Sequence, residues 1–239
     1  MPTALEVRTR NALRRAGLEI VPTRRRSEVS LLGLHLARLF DLHEIDIVLD
    51  VGARVGEYGL WLRQNGYRGR IVSFEPVQES ANRLRQRAAT DPLWRVEQCA
   101  LGDTDSTAEI NVAVMTQMSS LLPVTDYGRT FPTETERTET IEVRRLDTVW
   151  PSLPTGRVYL KMDTQGFDLQ VLTGAGPRID EVVALQTEAA VQVIYDGAPT
   201  HLRTLAELER LGFTVSGMFP VTLDDRLALV EYDCVAVRR

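Results

Sequence analysis

Two apolar rhythms alternate along the chain. Short, mostly apolar runs recur at Ile47-Val48-Leu49-Asp50-Val51, Ile71-Val72-Ser73-Phe74, Val158 to Met162 and Val182 to Thr187. Runs of this length are what a strand buried on both faces needs. Between them apolar residues recur at helical spacing. The pattern predicts strands at 46–51, 70–75, Trp94–Leu101, Val158–Met162 and Val182–Thr187. It predicts helices at 56–66, Ser80–Ala89, Asp168–Gly174 and Thr200–Leu211, several of them closed by glycine. Phe213–Met218 and Tyr232–Val237 read as a final antiparallel pair. Regular β/α alternation argues for a mostly parallel α/β sheet with helices on both faces, Rossmann-like, its last strand reversed.

Two regions break the rhythm. Residues 1–44 read as an N-terminal helical cap, with helices over 4–17 and Ser30–Leu42. Leu31, Leu34, Leu36, Leu39 and Phe40 are the expected core contacts of the second. Residues 45–239 then form the main domain. Within it, Glu109–Val114 and Glu139–Arg144 alternate like exposed strands and predict a β-hairpin insertion. The Ser/Thr/Pro-rich stretch Met115–Thr138 between them is expected as a loop near the active site.

Composition adds limits. At 239 residues, 44% hydrophobic and 26% charged, the chain can bury a full core. A net charge of −5 gives no global pull toward nucleic acid. Arg8, Arg10, Arg14, Arg15 and Arg24–Arg26 crowd the start, as a solvated face or as a contact for an anionic partner. Cys99 and Cys234 lie far apart without metal-ligand spacing and read as buried free thiols. No apolar leader opens the chain and no run is long enough to span a membrane, so a cytoplasmic location is expected. A homo-oligomer is left open.

The chemistry concentrates where the first strand turns into a helix. Asp50-Val51-Gly52-Ala53-Arg54-Val55-Gly56-Glu57-Tyr58-Gly59 has neither the dinucleotide spacing nor the Gly-Lys-Ser/Thr of a phosphate loop. An acid before the glycine turn suits a cationic amine better than a phosphate. Glu75, at the end of the second strand, is placed to accept ribose hydroxyls. S-adenosylmethionine (SAM) carries an ammonium, a sulfonium and a ribose, and no phosphate. At this point the chain resembles the class I SAM-dependent methyltransferases.

Five motifs narrow the resemblance. Asp50-Val51-Gly52-Ala53-x-Val55-Gly56, Phe74-Glu75-Pro76, Ala100-Leu101-Gly102-Asp103, Ser119-Ser120-Leu121 and Lys161-x-Asp163-x-Gln165-Gly166-x-Asp168 occur in that order. Together they resemble the FkbM family, whose members methylate hydroxyls of natural products, sugars or glycans. The resemblance implies that Gly52, Ala53 and Gly56 bring backbone against SAM and that Asp50 holds the methionyl amine, directly or through water. It implies that Glu75 and Pro76 meet the ribose, and that Ala100 and Leu101 line the adenine pocket. Asp103 either reaches the adenine amino group or belongs to a plain turn. Ser119 and Ser120 either border cofactor or substrate or sit in a flexible loop. Arg54 departs from the family, which carries a small polar residue there, and bears on how the loop meets the methionine end.

Methyl transfer to an alcohol needs in-line positioning and a base or a metal. Tyr159, Lys161 and Asp163 share one strand face. A buried Lys161 needs a partner, with Asp163 nearest and Asp168 or Glu188 as alternatives. Gln165 is placed to orient the acceptor. Asp163 and Glu188, on adjacent strand ends, either share a proton or hold a divalent cation such as Mg²⁺. His201 is a candidate base, whereas His35 and His43 read as structural or exposed. The acceptor pocket is expected from the cap, the 115–138 loop and Ala189–Pro199. Competing readings are a non-catalytic scaffold on the same fold and a nicotinamide-dependent oxidoreductase, which the glycine spacing opposes. A nucleic-acid methyltransferase is opposed by the acidic charge and the lack of an Asn/Asp-Pro-Pro-Tyr/Phe motif.

Overall fold

The computed structural model describes residues 31–239, so the expected helix at 4–17 and the arginine cluster lie outside the described residues. Its strands in chain order are β1 (Ile47–Val51), β2 (Arg70–Phe74), β3 (Trp94–Glu97), β4 (Ala100–Gly102), β5 (Ser106–Ala113) and β6 (Thr135–Arg145). Then follow β7 (Val158–Met162), β8 (Val182–Ala190), β9 (Phe213–Leu223) and β10 (Leu229–Arg238). A seven-stranded sheet has the order β3-β2-β1-β7-β8-β10-β9. β10 runs antiparallel to both neighbours, and every other pair in this sheet is parallel. The last strand is therefore the reversed one.

The expected Trp94–Leu101 strand is two strands in two sheets. β3 pairs with β2, while β4 pairs with β6 in a second sheet of order β4-β6-β5. β4 packs against the helix after β7. A Cβ at Gly174 would lie 1.8 Å from the Gly102 carbonyl oxygen, which only glycine tolerates. The predicted hairpin is β5 with β6, and β6 starts at Thr135, earlier than expected. The connection between them is held down. Tyr195 donates its hydroxyl proton to the Met118 carbonyl at 2.8 Å, and Thr125 Oγ1 bonds the carbonyls of Val193 and Ile194 at 3.0 Å.

The helices that matter for the site are α1 (Leu31–Leu42), α2 (Glu57–Gln64), α3 (Gln78–Ala88), α4 (Leu146–Val149), α5 (Asp168–Ala175) and α6 (His201–Arg210). α1 buries Leu36, Leu39 and Phe40, with the Phe40 ring edge-on to Tyr159 at 4.8 Å. Leu31, expected in the core, is 75% exposed at the start of that helix.

Side chains alternate along buried strands, so each sheet face has its own core. Ile47, Leu49, Val51, Leu160, Met162 and Leu185 fill one face. Val48, Ile71, Tyr159 and Ala184 fill the other, under α1 and α2. Two residues further along that second face the register aligns Ser73, Asp50, Lys161 and Gln186 across β2, β1, β7 and β8. A polar row thus crosses the buried centre of the sheet near the strands' carboxyl ends, where ligands of open α/β sheets bind.

Candidate functional site

The glycine turn after β1 is shaped by what passes over it. Gly52 has φ +75°, and a Cβ there would meet the Asp163 carbonyl oxygen at 1.9 Å. Any side chain would push the end of β7 away. Gly52 and Ala53 donate their backbone N–H groups to the Phe74 carbonyl at 3.1 and 3.0 Å, tying the turn to β2. Arg54 also takes a left-handed φ of 50°, which is strained for a side chain with a Cβ. That conformation aims its backbone N–H at Glu75 Oε2, 2.7 Å away.

Glu75 is 6% exposed, and its other oxygen accepts the Val77 N–H at 2.9 Å. Burial pushes its carboxyl up to about 7, against the pull of those two backbone donors. It lines a cavity with Gly52, Arg54, Pro76, Ala100, Leu101, Ser119, Ser120, Asp163 and Gln165, which joins all five motifs. Phe167, Ile110 and Thr116 line it as well and were not foreseen. Phe167 occupies the open position of Gly-x-Asp, where a motif carries no signal.

The two serines are fixed. Ser119 Oγ accepts the Ala113 N–H at 3.1 Å. Ser120 Oγ donates to the Gln165 carbonyl at 2.8 Å and accepts the Leu122 N–H at 3.0 Å. Gln165 has φ 53°, so the turn after β7 is strained like the turn after β1.

A second cavity opens on the α1/α2 side. It shares Gly52, Arg54, Gln117 and Asp163 with the first and adds Tyr58, Trp61, Lys161, Gln186, Glu188 and Asp233. Ala53 lines this second cavity and not the first. Arg54 stands between the two, with Nε donating to Thr116 Oγ1 at 2.8 Å and a guanidinium nitrogen 3.0 Å from Glu57.

Asp50 lies beneath the turn. It is fully buried and lines neither cavity, so its place does not favour direct contact with the methionyl amine over contact through water. Lys161 Nζ lies 3.3 Å from its Oδ1, and Ser73 Oγ donates to its Oδ2 at 3.1 Å. Lys161 also meets Asp163 at 3.5 Å and the Tyr58 ring at 5.2 Å from the centroid. Asp50, which sequence distance hid, is thus the deep partner that a buried lysine needs. Burial alone would lower the Lys161 ammonium pKa; attraction to Asp50, then Asp163, outweighs it and the net shift is upward. Burial raises the Asp50 carboxyl despite Lys161 and Ser73.

Asp163 and Glu188 do converge. Gln165 Nε2 donates to Asp163 Oδ1 at 3.0 Å and to Glu188 Oε2 at 3.2 Å. An amide donor thus stands where a bridging cation would, and among the described residues no group of three His, Cys, Asp or Glu side chains is set to hold a metal ion. The arrangement does not fit the Mg²⁺ alternative. Burial first, then Asp163, Glu231 and Asp233, pushes the Glu188 carboxyl well above its ordinary range. β8 runs two residues past Glu188, so that residue lies within the strand and not at its end.

Three candidates stand apart. Asp168 accepts from the Thr164 backbone at 3.0 Å and from Thr187 Oγ1, so it clamps the turn after β7 and does not pair with Lys161. His201 lies edge-on to Tyr232 and lines neither cavity. Asp103 is exposed and lines neither cavity; Arg145 bonds its backbone carbonyl. Both cysteines are buried and free, and burial raises the Cys234 thiol to about 11.

The methyltransferase FkbM domain family matches residues 50–215. No curated protein matches the chain. Among solved structures, the chain is similar to a provisionally assigned O-methyltransferase from Klebsiella pneumoniae at 12% identity and TM-score 0.48, over 100% of this chain and 92% of that one. It is similar to a provisionally assigned RNA methyltransferase from Pyrococcus horikoshii at 13% and 0.45, over 86% and 81%. It is also similar to fibrillarin from Aeropyrum pernix with natively bound SAM, at 12% and 0.47, over 80% and 66%.

Proposed function

The chain belongs to the methyltransferase FkbM domain family, and on that premise we propose that it transfers a methyl group from SAM to a hydroxyl of a natural product, sugar or glycan. The observation that supports this most is the meeting of two cavities at Gly52, Arg54, Gln117 and Asp163. A methyl transferase needs donor and acceptor on either side of one shared opening, held in line and shielded from water.

The residues present fit the cofactor. Gly52 and Arg54 offer backbone at the turn, Glu75 offers two carboxylate oxygens for ribose hydroxyls, and Ala100, Leu101 and Phe167 offer apolar walls for adenine. When bound, SAM supplies an electrophilic methyl carbon on a positively charged sulfur. The protein then has two tasks. It positions the acceptor oxygen, and it takes the hydroxyl proton as the new O–C bond forms and the S–C bond breaks. In this reading Asp163 takes that proton, because it is the one carboxylate lining both cavities. Lys161 and Gln165 hold it in place at 3.5 and 3.0 Å. Asp50 and Lys161 serve as its support. Leu32 on α1 lines the acceptor side. Among the described residues no helix is long and apolar enough to cross a membrane.

The test is calorimetric titration with SAM and its demethylated product, followed by tritiated-methyl transfer to hydroxylated acceptors. Binding near micromolar, with Asp163→Asn lowering turnover about 100-fold or more and leaving affinity within a few-fold, is expected. No binding would return the chain to the scaffold reading. Unchanged turnover in Asp163→Asn would move the base elsewhere.

A further inference from the structure

Acidic side chains outnumber basic ones around the acceptor cavity. Glu57, Asp163, Glu188 and Asp233 line it, against Arg54 and Lys161. The cations are already used. Arg54 pairs with Glu57, and Lys161 with Asp50 and Asp163. Glu188 and Asp233 have no basic partner among the described ion pairs, and the register sets them directly opposite each other across β8 and β10. Like charges at opposed positions on neighbouring strands cost stability.

Neutral amides hold these two acids. Gln165 donates to Glu188, and Gln186 acts on Asp233 while its own oxygen accepts from the hydroxyls of Tyr58 and Tyr159 at 3.0 and 3.1 Å. An amide orients a carboxylate without cancelling its charge. Glu231, buried two residues before Asp233, is a third acid that acts on Glu188. Burial raises the Asp233 carboxyl to about 6. A separate feature of the cavity points to the same kind of ligand. Tyr58 and Trp61 stack at 5.6 Å and 28° along its wall, and aromatic faces attract organic cations. A fold keeps two opposed, unneutralised acids beside an aromatic wall at a cost, and such costs collect where a ligand repays them.

Resting on the methyltransferase reading above, we propose that the acceptor carries a protonated amine beside its hydroxyl, as an amino sugar or amino alcohol does, and that Glu188 and Asp233 receive that ammonium. The amine anchors the molecule on β8 and β10 while its hydroxyl is presented to Asp163. Acetylation of the amine removes the charge and should remove the anchor.

The probes are D-glucosamine, N-acetyl-D-glucosamine and D-glucose, titrated at neutral pH and constant ionic strength into protein saturated with S-adenosylhomocysteine. Glucosamine is expected to bind about tenfold or more tightly than either neutral sugar. Glu188→Gln with Asp233→Asn is expected to abolish that preference and to leave the affinity for S-adenosylhomocysteine within about twofold, since neither residue lines the cofactor cavity. Should the double variant fail to fold, Glu188→Gln alone carries the comparison. Equal binding of the three sugars, no binding by glucosamine, or a preference that survives in the variant overturns the inference. Failure of S-adenosylhomocysteine itself to bind overturns the methyltransferase reading and this inference with it, and is told apart because it occurs before any sugar is added.

Discussion

Replacing Lys161 with methionine tests the polar row at its centre. The change keeps side-chain length and removes the charge that faces Asp50. Lys161 is 5% exposed and Asp50 is 0% exposed, at 3.3 Å from each other. With an effective dielectric of about 20, two unit charges at that distance attract by roughly 5 kcal/mol. Most of this offsets the cost of burying them. Removing one partner exposes that cost, and such truncations lose about 3–5 kcal/mol. Asp163 adds little, since its side chain is 44% exposed and screened by water. At about 2–4 °C per kcal/mol for a domain of this size, the melting temperature should fall by roughly 6–20 °C. Two further readouts separate an unpaired charge from lost packing. Burial already raises the Asp50 carboxyl, and without Lys161 it rises further. A raised carboxyl is tolerated when protonated and costs stability as pH climbs through its folded value. The gap between wild type and Lys161→Met should therefore narrow as the buffer is made more acidic. Asp50→Asn combined with Lys161→Met should recover much of the loss. Urea denaturation across pH measures both. A loss below about 1 kcal/mol, a gap independent of pH, or a double variant no more stable than the single one would refute the buried-charge account.

Other consequences are as direct. Glu75 carries a folded value near 7 against an ordinary carboxyl of 4.5, so its contribution to stability is complete below the ordinary value and is lost as pH rises through 7. Ribose hydroxyls donate to the ionised form, so SAM affinity should rise as pH passes upward through 7, and Glu75→Gln should flatten that profile in calorimetry; a flat wild-type profile would take Glu75 out of the ribose role. Gly52→Ala must accommodate a Cβ that would lie 1.9 Å from the Asp163 carbonyl oxygen, at a φ of +75°. It should cost more than about 2 kcal/mol and abolish SAM binding, and an unchanged melting curve would contradict the close crossing of β7 over the turn. Ser120→Ala leaves the Leu122 N–H and Gln165 carbonyl without their partner at a site 2% exposed, and should cost about 1–3 kcal/mol in denaturant unfolding. No measurable loss would show that the loop is not tied to the end of β7.

The sheet was legible because its signal is local. Val48, Leu49, Val72 and Leu160 stand in short apolar runs, and β/α alternation with right-handed crossovers leaves few ways to order such strands. The first cavity was legible for a related reason. Its glycines and Glu75 fall where strands end, and strand ends converge at one edge of a parallel sheet. Misplacements arose where the deciding contact is long-range. Asp50 and Lys161 are far apart in the chain and become neighbours because β7 inserts beside β1. Asp103 sits in a turn that nothing local directs inward or outward, and it faces solvent. β4 leaves β3's sheet and packs with Gly102 close against Gly174, a contact that no window of sequence around Trp94 contains.

The sequence by itself determined most of the elements, the fold class, the family and the residues at the turns after β1 and β2, because periodicity and glycine or acid placement act over a few residues. The tertiary structure decided which charges meet. It paired Lys161 with Asp50, set Glu188 against Asp233 across the β8–β10 register, and put Gln165 between Asp163 and Glu188. These are pairings between strands, and register is set by how whole faces bury, so no single segment specifies them.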